Sequence, residues 1–228
     1  GHDPDGDGKG EPVLRHTKPA LPAQPIAVPA TSDAFDASTL GHQWQWQANP
    51  RAEWFSLTDT HGALRLNRVA APMATSLWLT PHLLLQKFPA PAFTATTQLR
   101  TDLHEEGDAA GLMVFGYDYA WLGRVRREGR DMLVLRTCRT AQKEGSEQEL
   151  AALDVRAAGA LHLRVVVTEG ARCRFFYSTD SAAFTAIGPE FQASSSHWVG
   201  AKVGLFAAAR PGVTSQGYAQ FDSFLVAP

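Results

Sequence analysis

The chain has 228 residues, of which 44% are apolar and 19% charged, and its formal net charge is −2. That length suits one large all-β domain with a tail, and the apolar content suffices for a core. The near-balanced charge gives no field to hold a polyanion, so nucleic acid is excluded as a partner. No apolar run reaches the roughly 18 residues of a membrane-spanning helix, so no membrane partner is expected.

Residues 1–30 are rich in Pro, Gly and charge and lack a sustained hydrophobic period, which predicts an extended leader or linker ahead of a domain over 31–228. Within it DPDGDGKGEPV imitates a calcium loop, with Asp3, Asp5 and Asp7 alternating. Leu14 stands where a bidentate Glu is required, and no helix flanks the loop, so a solvated acidic turn is expected instead. Next, SDAFD opens the first strand region and FDSF closes the last. Asp33 and Asp222 are therefore the candidate calcium ligands, where an ion would join strand ends.

From residue 33 the pattern becomes short β-rich runs between turn residues. In GHQWQWQANP a period of two puts Trp44 and Trp46 on one face and Gln45 and Gln47 on the other, with the indoles predicted in the core or at a domain interface. MATSLWLTPHLLLQKF reads as a loop up to Pro81 and a strand after His82. An indole on a loop is costly to expose unless it docks on something, which makes Trp78 the first candidate for contact with a ligand or a partner domain. FTATTQLR (93–100) and LHLRVVVT (161–168) alternate strictly, with Phe93, Ala95, Thr97, Leu99, Leu161, Leu163, Val165 and Val167 facing inward. In FGYDYAWLG the same rule places Tyr117, Tyr119 and Trp121 together, on a face that is either core or the lining of a concave sheet where sugar rings stack. EQELAALDV carries the one helical period. STDSAA links two strands as a hairpin, and KVGLFAA and YAQFDSFLV supply the last strands. About a dozen strands in all predict an all-β, two-sheet antiparallel β-sandwich of jelly-roll, concanavalin A-like type.

The eight histidines never fall at metal-ligand spacing, and no GxSxG, HExxH or phosphate-binding glycine loop occurs. Glu105 and Glu106 read as a solvated turn. Cys138 and Cys173, in separate strand-like runs, are expected as two buried thiols.

The blocks LGHQWQWQANP, LLLQKFPAPAFTATTQL, AAGLMVFGYDYAWL, SHWVGAKVGLFAA and GYAQFDSF together resemble the C-terminal β-sandwich of glycoside hydrolase family 43 β-xylosidases and α-arabinofuranosidases, over about residues 33–226. In some members this domain is classed as a xylan-binding module, carbohydrate-binding module family 91. The leader is similar to the last strand and exit segment of that family's propeller catalytic domain. The resemblance implies a fragment whose catalytic residues lie in the propeller, so no catalytic residue is carried over to this chain. It also implies packing on that propeller and a loop aromatic near the active-site mouth, matched here by Trp78, with xylan or xylo-oligosaccharide as ligand. A purely structural sandwich and a free-standing jelly-roll enzyme are the alternatives. A polysaccharide substrate implies a periplasmic or secreted protein whose signal lies outside these residues, with an intracellular enzyme acting on imported oligosaccharides as the other option.

Overall fold

FTATTQLRTD and LHLRVVVT become neighbouring strands, and every second side chain of each is buried. Strict alternation means that one face meets a core and the other meets water. GLMVF and KVGLFAAA behave differently, since all their residues are buried, so those strands are covered on both faces.

The computed structural model describes residues 2–11, 17–60, 62–155, 159–213 and 216–228. Its strands are β1 (Gln45–Trp46), β2 (Phe55–Ser56), β3 (Leu64–Asn67), β4 (Val69–Ala70), β5 (Leu84–Lys87), β6 (Phe93–Asp102), β7 (Ala109–Phe115), β8 (Tyr119–Arg127), β9 (Arg130–Cys138), β10 (Glu147–Asp154), β11 (Leu161–Thr168), β12 (Arg172–Ser178), β13 (Thr185–Gln192), β14 (Lys202–Ala209) and β15 (Tyr218–Ala227). One sheet runs β13-β12-β11-β6-β15-β3-β2. The other runs β1-β5-β14-β7-β8-β9-β10, with β4 added beside β14. Neighbours are antiparallel apart from the β4 and β14 pair. The expected all-β sandwich of two antiparallel sheets is the observed fold.

Between the sheets lies the main core, built from residues such as Leu99, Leu112, Leu122, Leu163, Phe175 and Phe221. A bulge in β15 between Phe221 and Phe224 lets both rings point inward. Trp44 joins this core, packed against Phe35 and Phe224, and Trp46 packs against Trp54 and Phe55, as the alternation of QWQW predicts. Asp33 clips the entry of the chain to β15, exchanging backbone hydrogen bonds of 2.8 Å with Phe224. Its carboxylate accepts the Trp44 indole N–H at 2.8 Å and the Phe35 N–H at 2.8 Å.

EQELAALDV is no helix. It forms the edge strand β10, paired with β9 through a bulge between Glu149 and Ala151. Tertiary pairing overrides the weak helical period here, because Glu147 and Glu149 meet Arg136 and Arg127 of the neighbouring strands.

A second core sits on the outer face of the larger sheet. It gathers Leu85, Met113, Phe115, Tyr119, Trp121, Val134 and Phe206 under a strap formed by residues 71–83, which contributes Ala71, Leu77 and Leu83. At the strap's start Arg68 makes an ion pair with Asp108, both side chains being fully buried. Removing one partner of such a pair costs about 3–5 kcal/mol, because the other charge stays buried alone. Cys138 of β9 and Cys173 of β12 are separate buried thiols, and burial pushes the Cys173 thiol up to about 12.

His82 closes the strap, buried against Trp54 at a ring separation of 5.8 Å. Burial lowers its pKa from 6.5 to about 4, and the carbonyls of Ala207 and Val69 offset only part of that cost. The unfolded chain therefore takes up this proton first, and stability falls as pH drops from 6.5 towards 4, with no further loss from this group below that. Thermal melts of wild type and His82→Leu across that window test this. The wild-type Tm falls more steeply with acidification, and parallel slopes would contradict the assignment.

Candidate functional site

Trp78 lies at the tip of the strap, half-buried, with Leu79 beside it 58% exposed. Its indole stacks on Phe115 at 5.4 Å and tilts against Tyr117 at 5.8 Å. The Tyr117 hydroxyl lies 3.0 Å from His197 Nδ1, and the His197 ring meets Trp198 edge to face at 5.2 Å. Three loops, the strap, the β7–β8 turn and the β13–β14 connection, thus place Trp78, Tyr117, His197 and Trp198 in one row. Trp198 is 92% exposed.

The loops beneath this row are fastened together. Tyr117 N–H donates to Ser195 O at 2.9 Å and Asp118 N–H to Ser194 Oγ at 2.7 Å. The Asp118 carboxylate accepts Thr140 N–H at 2.6 Å and the Arg139 guanidinium at 2.9 Å. Gly116 permits the approach, since a Cβ there would come within 2.2 Å of the Ser194 carbonyl.

The face shared by Tyr117, Tyr119 and Trp121 divides. Tyr117 belongs to the turn and is half-exposed, whereas Tyr119 and Trp121 are 0% and 1% exposed, so neither presents a ring to a ligand. They are instead the base of the strap. Glu147 Oε1 accepts both the Tyr119 hydroxyl and the Trp121 indole N–H, each at 2.8 Å. Tyr119 Oη in turn accepts the Leu77 N–H at 2.7 Å, and Glu147 N–H donates to Thr75 O at 2.8 Å. Burial and the neighbouring Glu147 charge hold the Tyr119 phenol well above its ordinary pKa, so it stays a donor. Arg136 lies over the Trp121 ring and bonds Glu147 and Glu149. Hydrogen bonding from Arg127, followed by its charge and then Arg136, draws the Glu149 pKa down.

Asp33 and Asp222, the calcium candidates of the sequence, both engage N–H donors. The Asp33 oxygens receive the N–H groups of Phe35 and Trp44, and Asp222 receives Gln98, Arg100 and Gln220. Among the described residues, the grouping with metal-ligand reach is Asp3, Asp5, Asp7 and Glu11, within 4.8 Å of one another in the leader. It is largely solvated, as the sequence predicts, with Asp3 and Asp7 turned onto nearby backbone N–H groups. Leu14, the position that argued against a calcium loop, lies outside the described residues.

His197 and Trp198 are absent from the sequence-derived candidates. Their signal lies in the backbone and not in the sequence: Trp198 occupies the third position of a four-residue turn closed by Ser196 N–H to Val199 O at 2.9 Å, with φ of 62°. That position ordinarily belongs to Gly or Asn, and a bulky residue in this left-handed region costs roughly 1–2 kcal/mol.

The leader approaches the same end. Thr31 O accepts the Gln86 side-chain N–H at 3.0 Å, next to Lys87 at the end of β5. A groove of about 540 Å³ runs between Val28, Pro29 and Thr31 on one side and Gln45, Lys87 and Phe88 on the other. Phe88 N–H bonds Ala201 O at 3.1 Å, three residues beyond Trp198.

Two antiparallel sheets packed face to face, the larger one strapped on its outer side, form a β-sandwich consistent with the concanavalin A-like type. The chain belongs to the family of β-xylosidase C-terminal concanavalin A-like domains, whose description matches residues 32–227. It is 26% identical over 226 residues to a β-xylosidase of Formosa agariphila, an alignment covering 90% of this chain and 36% of that protein. It is 28% identical over 154 residues to a non-reducing end α-L-arabinofuranosidase of Bacteroides ovatus, covering 66% of this chain and 28% of the relative. The solved xylan β-1,4-xylosidase of Bacillus halodurans superposes with a TM-score of 0.77 at 22% identity, over 97% of this chain and 44% of the other, which shows the shared fold. The chain thus spans about a third of the length of the curated relatives it matches.

Tyr119→Phe tests the strap's base. It leaves the Leu77 N–H and Glu147 without their shared partner, and a hydrogen bond to a charged group contributes about 1.5–3 kcal/mol. The expected result is faster hydrogen exchange at Leu77 and Trp78 with the remaining sheet protection unchanged. Unaltered exchange in the strap would refute the role.

Proposed function

We propose that this chain is the non-catalytic accessory domain of a xylan-degrading glycosidase of family 43, packed on the catalytic propeller with its aromatic end at the mouth of the substrate site. Family membership supports the domain's place in such an enzyme, and the names of the relatives support xylan or xylo-oligosaccharide as the ligand and β-xylosidase or α-L-arabinofuranosidase as the parent activity. One observation carries the reading. Trp78 is held half-exposed on a strap anchored by Tyr119 and Glu147, at the end of the sandwich to which the leader leads.

An indole pinned in this way closes a site without having to be ordered on binding, so little entropy is lost when substrate arrives. Its flat apolar face suits the C–H face of a pyranose ring, and the Tyr117 and His197 pair beside it suits the hydroxyls. Tyr119, Trp121 and Glu147 act through Trp78 and serve as positioning residues. The polymeric substrate places the parent protein in the periplasm or outside the cell, and an intracellular enzyme working on imported oligosaccharides is the second location we consider.

In a protein where this chain follows its family 43 catalytic domain, Trp78→Ala lowers kcat/KM for a xylo-oligosaccharide by about tenfold or more, equivalent to ~1.4 kcal/mol of transition-state binding. Trp78→Phe retains most of the activity. An unchanged kcat/KM in the alanine variant would remove Trp78 from the substrate site.

A further inference from the structure

We infer that Trp198 and His197 extend the row beginning at Trp78 into a subsite for the distal rings of an extended, uncharged pyranose chain, making this end of the sandwich a selector for chain length. The inference rests on the proposed accessory role and adds a residue set and a specificity to it.

Trp198 is costly by every local measure. Its side chain is 92% exposed, while Trp44, Trp46, Trp54, Trp78 and Trp121 each pack against aromatic neighbours inside the protein. Its backbone occupies a left-handed turn position at φ 62°, where glycine or asparagine carries no penalty. Strain persists where the surroundings over-determine it and clusters where a residue is presented to a ligand. Here the turn is clamped by the Ser196 and Val199 hydrogen bond, and the preceding Ser194 and Ser195 are tied to Asp118 and Tyr117.

Geometry indicates what is presented. Ring centroids step by 5.8 Å from Trp78 to Tyr117, 6.4 Å to His197 and 5.2 Å to Trp198. The ring planes turn by 84° at the Tyr117–His197 step and 90° at the His197–Trp198 step, so the group is no single flat platform; the indoles at its two ends, Trp78 and Trp198, are the faces a sugar chain would stack on, with the polar pair between them. Polar capacity lies between the two indoles, where the Tyr117 hydroxyl and His197 Nδ1 already form a donor and acceptor pair at 3.0 Å. Charge is quenched at the base, where Asp118 and Arg139 neutralise each other. A neutral polyhydroxylated chain with apolar faces fits this group of indoles and polar side chains.

The test uses this chain itself, with xylobiose and xylohexaose as probes in isothermal titration calorimetry. Wild type binds xylohexaose at least about fivefold more tightly than xylobiose, as an added stacked ring contact of the usual strength requires. Trp198→Ala and Trp198→Asn remove that difference and leave xylobiose binding unchanged. Neither variant melts below wild type, because the indole makes no buried contact. Trp198→Asn also relieves the turn, so it controls for any local misfolding of the alanine variant.

Equal length dependence in wild type and both variants would overturn the inference, as would failure of wild type to bind xylohexaose at all. If the chain binds no sugar while Trp78→Ala still impairs the enzyme bearing the catalytic domain, the chain-length subsite fails and the accessory role stands. If Trp78→Ala has no effect while Trp198 still governs binding of long chains, the lid fails and the subsite stands.

Discussion

A single carboxylate oxygen holds the functional end of this molecule in place. Glu147 Oε1 sits at the margin of the second core and accepts two buried donors, the Tyr119 hydroxyl and the Trp121 indole N–H. Either donor left unpaired would cost about 1–3 kcal/mol, so both rings are fixed where that oxygen is. Tyr119 passes the constraint upward by accepting the Leu77 N–H, and Leu77 precedes Trp78. The aromatic row thus begins at a point tied by two hydrogen bonds to the edge strand β10. At the strap's other end the buried Arg68 and Asp108 pair does the corresponding work.

The second core explains why a strap exists at all. A sheet whose central strands are apolar on both faces cannot leave one face to water, and here the opposite sheet covers the inside while residues 71–83 cover the outside. The stacked indole of Trp78 seals Phe115. Stability and the proposed ligand contact share residues at Trp78 and separate at Trp198, which contributes nothing to either core.

Much of the fold was legible in the sequence, for a physical reason: half-buried strands must alternate. Phe93 to Leu99 and Leu161 to Val167 show it, and so do Trp44 and Trp46. The unbroken apolar runs of β7 and β14 carried a further message, burial on both faces, that alternation rules alone do not extract. A period of two groups Tyr117 with Tyr119 and Trp121, but Tyr117 lies in the turn between Phe115 and Tyr119, before the strand that fixes the other two begins. EQELAALDV shows the opposite error, a short helical period outweighed by cross-strand ion pairs. The donors that reach the Asp33 and Asp222 oxygens include distant ones, the Trp44 indole and the Gln98 and Arg100 side chains, which a linear reading does not show. Trp198 escaped notice because its meaning lies in a backbone angle, which no side-chain pattern reports.

In the proposed arrangement the row from Trp78 to Trp198 faces the substrate mouth of a catalytic domain. A crystal structure of the chain joined to its catalytic domain, with a xylo-oligosaccharide bound, tests it most directly. The account predicts the Trp78 ring in van der Waals contact with a sugar ring and the chain running outward past Tyr117 and His197 to Trp198. A structure in which this end of the sandwich points away from the catalytic domain, with the sugar held by that domain alone, would contradict it.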